Sequence, residues 1–197
     1  MVTRGYGVLE EFLASLRAKK ADSLIPEHLR SGKIVDIGCG TTPYFLANTT
    51  FSKKIGIDTV RTEDFLTSDG ITLKSQDFFN IPELELESAS VSVVAMLAVF
   101  EHIEAKPLEI LLRETHRILI PGGHMILTVP AGWTDPILKF LAQIRLLSAT
   151  EVFDHKDTYS KNDVVKHLVQ AGFPLQGIEA GYFELGMNIW CAARKQS

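Results

Sequence analysis

The sequence predicts an α/β fold: a mostly parallel sheet covered by helices, with an antiparallel hairpin at the carboxyl end of the chain. Three observations predict it. From about residue 33 onward, short apolar runs alternate with segments of helical period, the pattern of strands joined by helical crossovers. The last two runs, near 174–183 and 187–194, are joined by a short turn at Leu185-Gly186. A parallel crossover needs a dozen residues or more, so this pair must be antiparallel. Three earlier runs end in a small or acidic residue, which brings Asp36 and its glycines, Asp58 and Asp77 to one edge, and in open α/β sheets ligands sit outside the carboxyl ends of the strands.

The elements follow in order. GVLEEFLASLRAKKADSLI places Leu9, Phe12, Leu13 and Leu16 at helical spacing, and Pro26 punctuates its end. The basic cluster Arg17, Lys19 and Lys20 suits the last turn of that helix, where it complements the dipole. KIVDI is the first strand, and a brief helical stretch, PYFLAN, follows its glycines. KKIGI at 53–57 is the second strand and ITLKSQ at 71–76 the third. VSVVAML at 91–97 is apolar on both faces, as a central parallel strand should be.

EHIEAKPLEILLRETHRIL is amphipathic, with Ile110, Leu111, Ile118 and Leu119 on the buried side. Pro107 should start its main helical part, where a missing N–H costs nothing. Pro121-Gly122-Gly123 reads as a turn into a fifth strand, HMILTV at 124–129. DPILKFLAQIRLL is a further helix. Ser160 opens another, with Asp163 three positions on, a capping box with Asp in place of Glu; Gly172 ends it.

The 197 residues suffice for one domain with a sizeable core. The expected division is an N-terminal helical segment at 1–30, a cofactor-binding half at 31–130 and an acceptor-side half at 131–197. A net charge of −4 argues against a nucleic-acid partner, whose phosphates select a basic surface. No apolar run reaches the length of a membrane span, and the N-terminus does not read as a signal peptide. On the absence of targeting alone, the cytoplasm is the expected compartment. Two cysteines, Cys39 and Cys191, make neither a metal cluster nor a disulfide framework. No metal site is expected, and the sequence leaves the oligomeric state open.

The stretch IVDIGCGTTPYF, at 34–45, carries the functional argument. Gly38 and Gly40 supply the backbone freedom that a sharp strand-to-helix turn requires. Asp58, at the end of the next strand, can accept hydrogen bonds from both hydroxyls of a ribose, at the spacing of an adenosine-binding βαβ unit. A dinucleotide fingerprint would place a third glycine near Pro43. Pyrophosphate also wants open N–H groups at a helix start, and proline has none. Asp36 would repel phosphate and attract a cation.

At these residues the sequence resembles the class I S-adenosylmethionine-dependent methyltransferases. VDIGCG resembles the first motif of that family, GID at 56–58 the second and QDF at 76–78 the third. AVFEHI at 98–103 is similar to the segment after its fourth strand. LRETHRILIPGGHMILTVP and YSKNDVVKHLVQAGF resemble the elements that follow. The likeness covers roughly residues 20–195 and is closest to the small-molecule, type 11-like branch. It departs at Thr42, where the family often has a third glycine.

The resemblance implies a three-layer, Rossmann-like sandwich on a seven-stranded, mostly parallel sheet of order 3-2-1-4-5-7-6, the last strand antiparallel. It implies S-adenosyl-L-methionine as cofactor and S-adenosyl-L-homocysteine as product. Asp36, Gly38, Cys39 and Gly40 would lie at the methionine part. Asp58 and Thr59 would lie at the ribose, Asp77 and Phe78 at the adenine, and the Leu97 carbonyl would meet the methionine amine.

Methyl transfer from a sulfonium is an in-line displacement in which positioning supplies much of the rate, and a base matters only for an acceptor that holds its proton. His102 is the candidate base, against a role in capping and orienting the helix that follows. Tyr6, Trp133, His155 and Tyr159 are candidate acceptor-lining residues, against ordinary packing or loop roles. The other histidines have no visible partner.

AMLAVF at 95–100 lacks the Asp/Asn-Pro-Pro-aromatic motif of base N-methyltransferases, and no nucleophilic cysteine stands there. Little chain lies outside the core to grip a macromolecule. The expected acceptor is a small molecule, sugar- or lipid-linked intermediates included. Two other classes stay open: a non-catalytic cofactor-binding protein, and an NAD-dependent oxidoreductase, which Pro43 and the terminal hairpin disfavour.

Overall fold

The computed structural model describes residues 10–59, 65–67, 70–136 and 156–196. Among the described residues, eight strands form one sheet: β1 (Lys33–Ile37), β2 (Lys53–Asp58), β3 (Phe65–Leu66), β4 (Ile71–Ser75), β5 (Val91–Leu97), β6 (Leu119–Pro130), β7 (Ile178–Phe183) and β8 (Asn188–Arg194). Their order is β3-β4-β2-β1-β5-β6-β8-β7. Without β3, this is the expected seven-stranded order. The addition is the two-residue β3, antiparallel to β4 at the sheet edge, too short to show as a periodic run.

β4, β2, β1, β5 and β6 are mutually parallel, whereas β8 lies antiparallel between β6 and β7. The central strands are apolar because both of their faces are covered. Helices α1 (Glu10–Ser23) and α2 (Tyr44–Asn48) cover one face, where Ala18, Ala21 and Leu46 pack on Ile34, Val93 and Ile126. Helices α3 (Ala105–Ile118) and α4 (Lys161–Gln170) cover the other, where Leu108, Leu111, Val164 and Leu168 pack on Val35, Val94 and Leu127. Among the described residues, no helix is long and apolar enough to cross a membrane.

Several local expectations hold. Ser160 Oγ accepts the Asp163 N–H while the Asp163 carboxylate accepts the Ser160 N–H, the reciprocal capping box of α4. The turn Glu184–Gly186 joins β7 to β8 antiparallel.

Others are corrected. Pro121-Gly122-Gly123 is not a turn before a strand but an irregularity inside β6. Val91 pairs with Leu119 and Val93 already with His124, and Gly122 supplies the positive φ of +78° that the bulge needs. α3 begins at Ala105, ahead of Pro107, because no first-turn N–H has an intrahelical partner and proline fits anywhere there. Its buried stripe is Leu108, Leu111, Leu112, Thr115 and Ile118, with Ile110 half-buried. Of the first helix's stripe, Phe12 is exposed and Leu13 and Leu16 are half-buried; Ala18 and Ala21 make the close contact instead. Leu9 and nearly all of the helix expected at 135–147 lie outside the described residues.

Candidate active site at the carboxyl edge of the sheet

The parallel register brings the strand ends together. Asp36 of β1 lies between Gly56 of β2 and Ala95 of β5, and Asp58 pairs with Ser75 of β4. From this edge the chain turns through Gly38 and Gly40, whose φ values of +79° and +71° favour glycine. Thr42 is not among the left-handed residues, so its branched side chain brings no backbone strain to the loop. The Gly38 N–H donates to the Ile57 carbonyl at 2.8 Å, and the Gly40 N–H donates to Asp58 Oδ2 at 2.7 Å. The loop after β1 is thereby tied to the end of β2.

Gly38 has a second constraint. A Cβ there would stand 2.3 Å from Val99 Cγ2, so the segment after β5 closes directly over the glycine. That segment begins with strain. Ala98 has a φ of +54° although it carries a side chain, and its N–H donates to the Thr128 carbonyl at 2.9 Å. Left-handed non-glycine residues concentrate at functional sites, where surrounding structure enforces them.

Asp36 and Asp58 are both buried. Burial, and then the charge of Asp58, push the Asp36 carboxyl well above the usual carboxylate range. Burial and a neighbouring carboxylate both disfavour a negative charge at Asp36. A bound cation would offset this and phosphate would worsen the repulsion. This donor set fits a cationic sulfonium amino acid.

The other candidates take more specific forms. The Cys39 side chain is buried, with its sulfur in the space that a Cβ on Gly56 would occupy; its backbone remains for the crevice. Thr59 is half-buried just beyond β2. Asp77 is exposed and accepts hydrogen bonds from the Asn80 backbone and side chain. The Phe78 ring is fully buried beside Phe79, so its backbone, not its ring, is what it can present to an adenine. Leu97, half-buried, ends β5. His102 is half-buried in the helical turn Phe100–His102.

On the acceptor side, Trp133 is exposed in the turn Gly132–Thr134, close to Gly186. Tyr159 is buried, edge-on to Phe100 and His167. Burial, and then the nearby carboxylates of Asp157 and Glu101, push its hydroxyl up to about 12. Its carbonyl accepts the Gly132 N–H, and the Lys156 N–H donates to the Glu101 carbonyl. The 156–159 loop is thus pinned behind the segment after β5. A cavity of about 360 Å³ opens between this loop and α4, lined in part by Tyr159 and His167. Tyr6 and His155 lie outside the described residues. Among the described residues, no cluster of His, Cys, Asp and Glu could hold a metal ion.

In the sequence, Val99, Ala98 and Gly56 stand only as members of the motifs AVFEHI and GID, with no role of their own. Gly56 was legible as an interruption in an apolar strand, which often marks a close approach. The other two carry no local signal.

Comparisons with known proteins agree with this fold. A methyltransferase-domain family model matches residues 9–176. The fold is similar to a Thermotoga maritima S-adenosylmethionine-dependent methyltransferase, described as a possible histamine N-methyltransferase. The TM-score is 0.68 at 17% identity, over 94% of this chain and 90% of that one. A Mesorhizobium loti S-adenosylmethionine-dependent methyltransferase matches with TM-score 0.62 at 18% identity, over 89% and 96%. Haemonchus contortus phosphoethanolamine N-methyltransferase 2, in complex with phosphomonomethylethanolamine and S-adenosylhomocysteine, matches with TM-score 0.63 at 14% identity, over 93% of this chain and 53% of that one. A search of curated proteins finds no match. With the family model spanning most of its length and the glycine loop, paired aspartates and sheet order in place, the chain belongs to the class I S-adenosylmethionine-dependent methyltransferase family.

Proposed function

We propose that the crevice at the carboxyl ends of β1, β2, β4 and β5 binds S-adenosylmethionine, and that the enzyme methylates a small-molecule acceptor, sugar- or lipid-linked intermediates included. One observation carries the cofactor reading: Asp58 holds the Gly40 N–H, and Asp36, buried near it, has no compensating cation among the described residues. In this reading Asp36 and the Gly38–Gly40 backbone face the methionine part. Asp58 and Thr59 face the ribose, Asp77 and the Phe78 backbone the adenine, and the Leu97 carbonyl the methionine amine.

The bound cofactor supplies a methyl group already activated by its sulfonium. The protein's task is to align the acceptor behind that methyl and to keep the site dry. His102, fixed in its turn and backed by the Lys156–Glu101 backbone bond, accepts the acceptor's proton where the acceptor is an alcohol. A net charge of −4 favours a small acceptor over a nucleic acid. A cytoplasmic location belongs to the same proposal.

Calorimetric titration with S-adenosylmethionine and S-adenosylhomocysteine tests it. One site is expected for each, weakened in Asp58→Ala. A folded sample that binds neither overturns the assignment. Full turnover by His102→Ala on an alcohol acceptor removes His102 from the chemistry.

A further inference from the structure

We propose that Glu184, on the turn between β7 and β8, recognises the acceptor, and that the acceptor carries a protonated amine. The inference rests on the methyltransferase reading above and adds a substrate class to it.

Position comes first. β8 runs antiparallel to β6, so its first residues stand at the same sheet edge as the end of β5. Leu97, Thr128 and Trp190 are register partners across β5, β6 and β8. Asn188 pairs with Pro130, two residues further out, and the Glu184 turn lies just beyond it. β8 is two strands from β5, about 10 Å at the usual strand spacing. A small acceptor with its reacting atom over β5 can reach this turn with its other end.

Chemistry comes second. The Asn188 side-chain amide donates to Glu184 Oε2. Glu184 Oε1 is buried and has no hydrogen-bond partner among the described residues. A buried carboxylate oxygen without a donor is costly. Burial accordingly raises the affinity of this carboxyl for its proton, while Arg17 of α1 and the Asn188 hydrogen bond pull the other way. A charged N–H donor is the group that best satisfies such an oxygen.

Two further features mark the turn. Glu184 and Leu185 have φ values of +51° and +57°, consecutive left-handed residues that carry side chains. Left-handed residues of this kind turn the hairpin tightly and fix where the Glu184 side chain leaves the backbone. Beside the turn stands Trp133, 57% exposed, with its ring 3.9 Å from where a Gly186 Cβ would be. A carboxylate near an open indole face is a recurrent receptor for an ammonium group.

Butylamine, a cation at neutral pH, and butanol, its neutral counterpart, are suitable probes. Each is titrated by NMR into wild-type, Glu184→Gln and Trp133→Ala proteins loaded with S-adenosylhomocysteine. Wild type should prefer butylamine by on the order of tenfold. Glu184→Gln should lose that preference while keeping its affinity for S-adenosylhomocysteine. Trp133→Ala should weaken butylamine binding by a few-fold. Absent butylamine binding, equal affinity for the two probes, or a preference that survives Glu184→Gln overturns the proposal. Failure of wild type to bind S-adenosylhomocysteine strikes the methyltransferase site itself and is read separately.

Discussion

The Gly40 N–H donates to Asp58 Oδ2 over 2.7 Å, so a side chain at the end of β2 sets the shape of the loop after β1. Both groups are buried. Removing the acceptor strands a buried donor, which costs about 1–3 kcal/mol. Asp58→Ala should therefore lower stability by about that amount as well as weaken cofactor binding. Asp58→Asn keeps an oxygen for Gly40 and should recover part of the loss. Denaturant midpoints for the two variants check this; equal losses would show that the hydrogen bond is not what matters.

Gly38 faces two demands at once, a φ of +79° and a Val99 methyl 2.3 Å from any Cβ. Gly38→Ala should destabilise by about 1–3 kcal/mol. Combining it with Val99→Ala should relieve the steric part and leave the backbone part, giving non-additive losses. Thermal unfolding of the double-mutant cycle measures the coupling.

Asp36 holds its proton more tightly folded than unfolded, because of burial first and Asp58 second. Between the unfolded carboxylate value, about 3.9, and the raised folded value, the native state binds more protons. Stability therefore falls as pH climbs through that window. Asp36→Asn should abolish this part of the pH dependence, as urea midpoints across the range would reveal. A cation beside Asp36 draws the proton off again. Calorimetry of S-adenosylmethionine binding should show proton release, as an enthalpy that varies with the ionisation enthalpy of the buffer.

Ser160→Ala removes half of the α4 capping box. The expected cost is about 1 kcal/mol, or about 2–4 °C in Tm for a chain of this size. Cofactor affinity should not change, since α4 covers the sheet face opposite α1 and α2. A change in affinity would mean that the 156–159 loop communicates with the crevice through α4.

Much was legible in the residues themselves. Alternating apolar runs and helical periods specify parallel strands and crossovers, because burial of both sheet faces leaves little else for such a pattern to do. A link of a few residues forces an antiparallel hairpin by length alone. Ser160 and Asp163 announce a helix start because capping is local, and Gly38 and Gly40 announce a sharp turn because they alone tolerate its backbone. Asp36, Asp58 and Asp77 could be assigned to one edge because side-by-side parallel strands end together.

Tertiary structure decided what depends on partners far apart in the chain. That Asp58 grips Gly40, that Val99 closes on Gly38, and that Cys39 fills the space left by Gly56 are contacts between segments with no shared period. Pro121-Gly122-Gly123 carries turn residues, yet pairing with β5 and the end of β8 holds it in the sheet as a bulge. Glu184 reads in sequence as an ordinary turn residue. Only the approach of Asn188, Arg17 and the fold around them buries its carboxylate. The cost of a buried charge is a property of its surroundings, and those exist only once the chain has folded.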